Sequence, residues 1–431
     1  LSQELNISTL TLSPEQQKLF DRFENTSSHM FVTGKAGTGK SVLLQYIRQN
    51  THKKYVVLAP TGVAALNVGG QTIHSFFLLP PTFIETRNLH LNSKTSKILK
   101  NLDVLIIDEV SMVRADLMDG IDYLLRKARG NNQAFGGIQM LLFGDLYQLP
   151  PVVNDPEIRQ YFEEMNGGFY FFNSFAWADT DLEIYELNQN FRQTDEQFSS
   201  ILNNIRIGQV DDDTIAFLNQ RSSLEVPPSG VLTLATINST VFSLNHQRLE
   251  ELFDSSFEFH ASIDGKLEES AFPTEKNLVL KKGAQIMMLR NDSKKRWVNG
   301  TIGTIESISK NEIKVNIDGQ VYDVAPETWN KIRYFFNADK RQVQEEVVSS
   351  FTQYPLRLAW AITIHKSQGQ TYNSVVIDLG YGAFAHGQTY VALSRCRSLD
   401  TLYLKRPLTH RDIIVDPVIV SFMKNANINQ L

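Results

Sequence analysis

Short, almost uninterrupted apolar runs punctuate the start of the chain: MFVTG at 30–34, YVVLAP at 55–60, DVLIID at 103–108 and IQMLLFGD at 138–145. Runs of this length, separated by helix-compatible stretches, predict strands buried on both faces of a doubly wound parallel α/β sheet. Ser13-Pro14-Glu15-Gln16 predicts a helix start, with Ser as N-cap, Pro at the first helical position and Gln three residues on. The alternation breaks at 77–101. There Pro80-Pro81 and a basic tail of Arg87, Lys94, Lys97 and Lys100 predict an insertion between two strands, not a crossover helix. A second α/β block is predicted from about 179, with strands at 231–236 (VLTLAT), 285–290 (QIMMLR) and 374–379 (SVVIDL). Inside it the pattern shortens: Asn299-Gly300 and Asp318-Gly319 are hairpin turns, with KVNI and VYDV alternating around the latter. The predicted organisation is a first domain at 1–178 carrying the 77–101 insertion, a second at 179–296 plus 353–431, and an inserted β-barrel-like domain at 297–352.

Composition narrows the options. The 431 residues are 42% hydrophobic and 21% charged, which suits about three globular domains at about 150 residues each. A net charge of −5 offers nucleic acid no global attraction, so such a partner would have to meet a local basic groove. Cys396 is the single cysteine, which excludes an intrachain disulfide and fits a reducing compartment. No apolar run approaches the roughly 18 residues of a membrane span, so no membrane partner is expected. Nothing at the start resembles a secretory signal. The chain opens at Leu1 rather than Met, which leaves a targeting segment ahead of it open.

The chemistry sits where the apolar runs end. FVTGKAGTGKS at 31–41 contains G-x-x-x-x-G-K-S between a strand and a helix-compatible stretch. Gly34, Gly37 and Gly39 let backbone N–H groups curl around phosphates, with Lys35, Ala36 and Thr38 in the same cradle. Lys40 reaches the β/γ-phosphates, Ser41 ligates Mg²⁺, and the helix start favours negative charge. A glycine-rich turn alone is weak evidence; strand before, Lys-Ser within and helix after make this a nucleoside-triphosphate site. Asp108-Glu109 closes the third run. Asp108 is placed to hold Mg²⁺ through its water shell and Glu109 to orient or deprotonate the attacking water, the plain alternative being acids that favour a helix start. Gln148, in GDLYQLPPV, is placed to touch the γ-phosphate or lytic water, unless Pro150-Pro151 simply hold a loop. Arg192, in LNQNFRQ, and Arg395, in YVALSRCRS, lie far away in sequence. An arginine neutralising developing charge is worth about 10³–10⁵ in rate, although either one alone reads as a surface ion pair. Gln16 either grips an adenine edge or completes its capping box.

Taken in order, LSPEQ, GKAGTGKS, APTGVAALNVGGQTIHSFF, IIDEVSMV, GDLYQLPPV, NQNFRQ, LAWAITIHKSQGQT and VALSRCRS resemble superfamily 1 helicases, and among them the PIF family of the 5′-to-3′ subgroup. These segments span residues 12 to about 400, and EVSMVRADLMDGIDYLLRKAR at 109–129 resembles the stretch that sets this family apart. The resemblance implies two tandem RecA-like domains with an inserted Src-homology-3-like barrel, and a strand-separating wedge at 77–101. It implies that Gln16 reads adenine, that Lys40, Ser41, Asp108 and Glu109 form the hydrolytic core and that Gln148 is the sensor. It makes Arg192 and Arg395 arginine fingers and places Gly369 near the γ-phosphate. It further implies ATP and Mg²⁺ as cofactors and 5′-to-3′ movement on single-stranded DNA with unwinding of duplex or fork DNA. Action on G-quadruplex and DNA–RNA hybrids, a monomeric minimal core, and a bacterial cytoplasmic or a eukaryotic nuclear or mitochondrial setting follow from the same resemblance.

Ligands of open α/β sheets gather at the carboxyl ends of strands. Thr61 follows one such strand, and Thr72, His74, Ser75 and Phe76 come shortly after. Short hydroxyl donors beside an aromatic suit a single strand, where phosphates are held and bases stack. Thr363, His365 and Lys366 repeat the theme in the second block. One contact set per domain is what a translocating motor needs. The plain alternatives are a half-buried His74 and a core Phe76. Two competing functions are an ATP-gated nucleic-acid clamp and an RNA-directed helicase.

Overall fold

The computed structural model describes residues 11–429 apart from 179, 192–194, 228, 338–339 and 341. Its centre is a seven-stranded, wholly parallel sheet in the order Ile428–Asn429, Leu182–Leu187, His29–Gly34, Gln139–Phe143, Val104–Ile107, Tyr55–Ala59, Gln71–Thr72. The four early apolar runs are its central strands, and both of its faces are covered. Phe31, Leu105, Ile107, Met140 and Leu142 enter the main core, while Met30, Val32, Ile106, Leu141 and Phe143 enter a second core on the other face. A strand buried on both sides needs no polar alternation, which is why these runs read as continuous.

The helix Pro14–Asn25 starts as its sequence predicts. Ser13 Oγ accepts from the Gln16 N–H, and Gln16 Oε1 accepts from the Ser13 N–H. The 77–101 stretch departs from expectation, because Ser93–Lys100 is a helix that returns the chain to the strand Val104–Ile107. Asn92 caps it by accepting from the Thr95 N–H, and Ile98 and Leu99 are buried in the main core. Two apolar residues among three lysines and hydroxyls were enough to dock it.

The first domain also extends past 178. Leu182–Leu187 pairs along the whole of His29–Gly34, and Ile428–Asn429 adds to its other side. A second sheet of four parallel strands runs Ala361–Thr363, Leu232–Ala235, Val375–Asp378, Leu402–Leu404. Gln285–Met288, expected in that sheet, instead pairs antiparallel with Ile302–Ile308 and Leu356–Leu358. With Ile313–Ile317 and Gln320–Val324 these form a five-stranded antiparallel sheet. Its core takes in Phe259, Leu278 and Leu280 from the antiparallel pair Phe257–His260 and Asn277–Leu280. The antiparallel region therefore begins at Phe257, not at 297.

A long hairpin, Glu327–Asn337 with Gln342–Gln353, leaves this region and lies against the first domain. The Val57 N–H donates to the Tyr334 hydroxyl at 3.3 Å, and Arg48 faces Glu345 at 3.7 Å. Among the described residues no helix is long and apolar enough to cross a membrane.

Candidate nucleotide cleft and nucleic-acid interface

The phosphate loop joins the strand His29–Gly34 to the helix Lys40–Asn50. Gly39 sits at φ +81°, and a Cβ there would stand 2.5 Å from Gln16 Nε2. That close approach lets Gln16 Nε2 donate to the Gly39 carbonyl at 3.2 Å. Gln16 thus completes its capping box and also braces the phosphate loop, a role its local sequence did not suggest. The Lys40 ammonium lies 2.5 Å from the Gly34 carbonyl and 3.1 Å from that of Lys35, and Thr38 Oγ1 donates to the latter at 3.0 Å. Lys40 is thereby folded over the loop it would serve, while Ser41 is exposed at the helix start.

Asp108 and Glu109 end the strand Val104–Ile107. Glu109 adopts φ 51°, ψ 43°, a left-handed conformation costly for a non-glycine residue, and strain of this kind clusters at functional sites. Burial, then the neighbouring Glu109, pushes the Asp108 carboxyl up to about 7. Burial likewise raises Glu109, against the pull of Lys40 and Arg395. Two carboxyls with raised affinity for protons are two carboxyls that would gain from a cation. Among the described residues no cluster of three or more His, Cys, Asp or Glu side chains could hold a metal by itself. A hard ion here would take Asp108 and the Ser41 hydroxyl, oxygen donors that suit Mg²⁺ with water and phosphate completing its shell.

Gln148 meets the second domain: its Oε1 accepts from Gln368 Nε2 at 3.5 Å, and its Nε2 donates to Asp145 at 3.3 Å. Gly369 follows on that loop at φ +76°, with open space where a Cβ would be. Arg395 comes from the same domain and is 1% exposed. Its guanidinium donates to the carbonyls of Val391 at 2.9 Å, Gln370 at 3.2 Å and Ser367 at 3.4 Å, and to Ser394 Oγ at 2.8 Å. Every one of these acceptors is neutral, so burial lowers its pKa, with Glu109 among the groups that oppose the shift. Arg192, the other expected finger, lies outside the described residues.

The candidate strand contacts follow one local rule. Thr61, Thr72 and Thr363 each stand just after or at the end of a parallel strand and accept the N–H three residues on, from Ala64, Ser75 and Lys366. The sequence Thr-Ile-His occurs at 72–74 and again at 363–365. His74 and His365 are both half-buried, and burial lowers both below the ordinary histidine value. Ser75 Oγ accepts from Gln71 Nε2 at 2.9 Å, and Lys366 is exposed. Phe76 is a correction. It is 4% exposed and packed edge-on against Phe77 and Tyr334, so it presents no face to a base.

The sequence pattern of PIF1-like helicases matches residues 11–215, and that of the DNA helicase Pif1 2B domain matches 258–308. The chain is 33% identical to the ATP-dependent DNA helicase Pif1 of Bdellovibrio bacteriovorus over 96% of its own length and 92% of the relative's. The chain belongs to the PIF1-like helicase family. It is accordingly an ATP-hydrolysing enzyme of the DNA helicase class. Among solved structures, the Bacteroides sp Pif1 complex with ADP-AlF4 superposes with a TM-score of 0.89, at 36% identity and 96% coverage of both chains. A Bacteroides Pif1 bound to ssDNA gives 0.69 at 37% identity with the same coverage. The 2B match of this PIF1-like helicase starts at residue 258, inside the first antiparallel strand, Phe257–His260.

Sequence reasoning missed the groups that join the two domains. Asp145 is fully buried and paired with Arg206 at 3.1 Å; burial alone would raise it, but Arg206 first and Lys40 next hold it below the ordinary carboxylate range. Arg206 also reaches Glu186 at 3.2 Å and stacks over Tyr147. Tyr390 and His386 touch the first domain directly. Asp145 and Tyr390 stood inside recognised segments, but Arg206 sits on an ordinary amphipathic helix with no local signal.

Proposed function

We propose that this PIF1-like helicase moves 5′ to 3′ along single-stranded DNA and opens the duplex ahead, driven by ATP·Mg²⁺ hydrolysis in the cleft between two RecA-like domains. The observation that carries this is Arg395. A fully buried guanidinium whose acceptors among the described residues are neutral, within electrostatic reach of Glu109, is a charge kept for an anion that enters between the two domains. Lys40 and the loop N–H groups bind the phosphates, Gln16 braces the loop, and Glu109 orients the water. Bound Mg²⁺, held by Ser41 and Asp108, would neutralise charge that develops between the β- and γ-phosphates. Gln148, hydrogen-bonded to Gln368, links that chemistry to the second domain, with Gly369 beside it.

Single-stranded DNA is placed across Thr61, Thr72, His74 and Ser75 in the first domain and Thr363, His365 and Lys366 in the second. The solved Bacteroides Pif1 bound to ssDNA supports that class of partner. The insertion at 77–101 supplies the strand-separating wedge, the five-stranded antiparallel sheet is the Src-homology-3-like barrel, and G-quadruplex and DNA–RNA hybrids are further substrates. The test compares forks carrying one tail. A duplex with only a 5′ tail should be unwound in the presence of ATP, and one with only a 3′ tail should not. Equal unwinding of both, or ATP turnover indifferent to single-stranded DNA, would refute the proposal. Stronger stimulation by RNA than by DNA would point instead to an RNA-directed motor.

A further inference from the structure

Tyr390 has a hydrogen-bonding position that the established parts of the cleft do not use. It lies on the second-domain helix Gln388–Leu393, five residues before Arg395. Its hydroxyl accepts from the Ala36 N–H of the phosphate loop at 3.1 Å and donates to Asp145 at 3.3 Å, in a fully buried setting. Asp145 is in turn fixed by Arg206. Gly387, which opens the helix, packs so closely that a Cβ would stand 2.4 Å from the Tyr147 carbonyl and 2.6 Å from that of Gln148. His386 donates from Nε2 to the Leu146 carbonyl at 2.9 Å and accepts at Nδ1 from the Asp416 N–H at 2.9 Å. One short helix is therefore pinned to the phosphate loop and the sensor loop together. Arg395 hangs from its far end, with its Nε on the Val391 carbonyl.

We propose that Tyr390 is a positioning residue for hydrolysis: its hydroxyl seats this helix on the phosphate loop and so sets where Arg395 stands relative to Glu109. A space of about 10 Å³ lies beside Ala36, Arg206 and Tyr390, enough for about one water. The hydroxyl takes the Ala36 N–H for the domain contact, which leaves phosphate binding to Lys40, Ser41 and the other loop N–H groups. Its loss should appear in turnover and not in ATP affinity.

The inference rests on Arg395 and Glu109 acting as proposed above. Y390F keeps the ring and removes only the hydroxyl. With saturating single-stranded DNA its kcat should fall about tenfold or more, while KM for ATP stays within about twofold. In an R395A background Y390F should slow nothing further, since the two act through one effect. A normal kcat, a raised KM at unchanged kcat, or a multiplicative loss in the double variant would each overturn the proposal. If R395A alone turns over normally, the assignment of Arg395 has failed. If R395A is slow and Y390F normal, only the present inference has failed. Thermal unfolding checks that Y390F folds. Should it not, R206K puts the same question from the other side of Asp145, and a normal kcat there overturns the proposal.

Discussion

On one wall of the cleft Asp108 and Glu109 stand side by side; burial raises the proton affinity of both, and the Glu109 charge adds to the rise at Asp108. On the other wall Arg395 is buried more deeply still, with carbonyls and a hydroxyl for partners. Each wall tolerates its charge in a different way. The carboxyls can take a proton and wait; a guanidinium cannot, so it is solvated in advance by a fixed set of acceptors. The difference shows which side adapts to the ligand and which is preorganised.

Breaking either wall gives the largest effects. K40A should abolish ATP hydrolysis while single-strand binding, measured by fluorescence anisotropy, persists. R395A should slow DNA-stimulated turnover by about 10³–10⁵ and spare nucleotide binding. Comparable loss of nucleotide affinity in both variants would erase the distinction between the walls.

A subtler test uses protons. Asp108 is raised from 3.8 to about 7, so across that window the folded chain binds more protons than the unfolded one. The stability this lends is present below the window and lost as pH rises through it. The melting temperature of the nucleotide-free protein should therefore gain from Asp108 at pH 5 relative to pH 7.5. D108N should flatten that difference, and an unchanged pH profile would show that Asp108 does not titrate there.

The smallest effect concerns the two proposed strand grips. The first ends in Ser75 and the second in Lys366, so only the second carries a fixed charge. K366A should weaken single-strand binding modestly and reduce the slope of log K against log salt by about 0.7, whereas T72A should leave that slope alone.

Much of this was legible in the residues, and the failures share a cause. The phosphate loop and Asp108-Glu109 announce themselves because their chemistry demands adjacent residues. Gln285–Met288 was misplaced because four buried apolar residues look alike in a parallel sheet and in an antiparallel one. Leu182–Leu187 was assigned to the wrong domain because pairing with His29–Gly34 leaves no trace in local pattern. Phe76 was offered as a base stacker because its partner Tyr334 is far off in the chain. Arg206 and Tyr390 were missed for the same reason: their meaning lies in Asp145, and only folding brings the three together.

The outer strand Ile428–Asn429 bears on how the protein is made. It covers Leu182–Leu187, a flank of the first domain's sheet, with residues from the far end of the chain. On the other side of that sheet the Val57 N–H waits for the Tyr334 hydroxyl. A ribosome therefore releases the whole phosphate loop long before either flank can be finished. Until residue 428 emerges, Leu182–Leu187 presents unpaired backbone groups, the kind of surface that recruits a stranger's strand. Completion of the first domain's sheet thus waits on residues made long after its other strands.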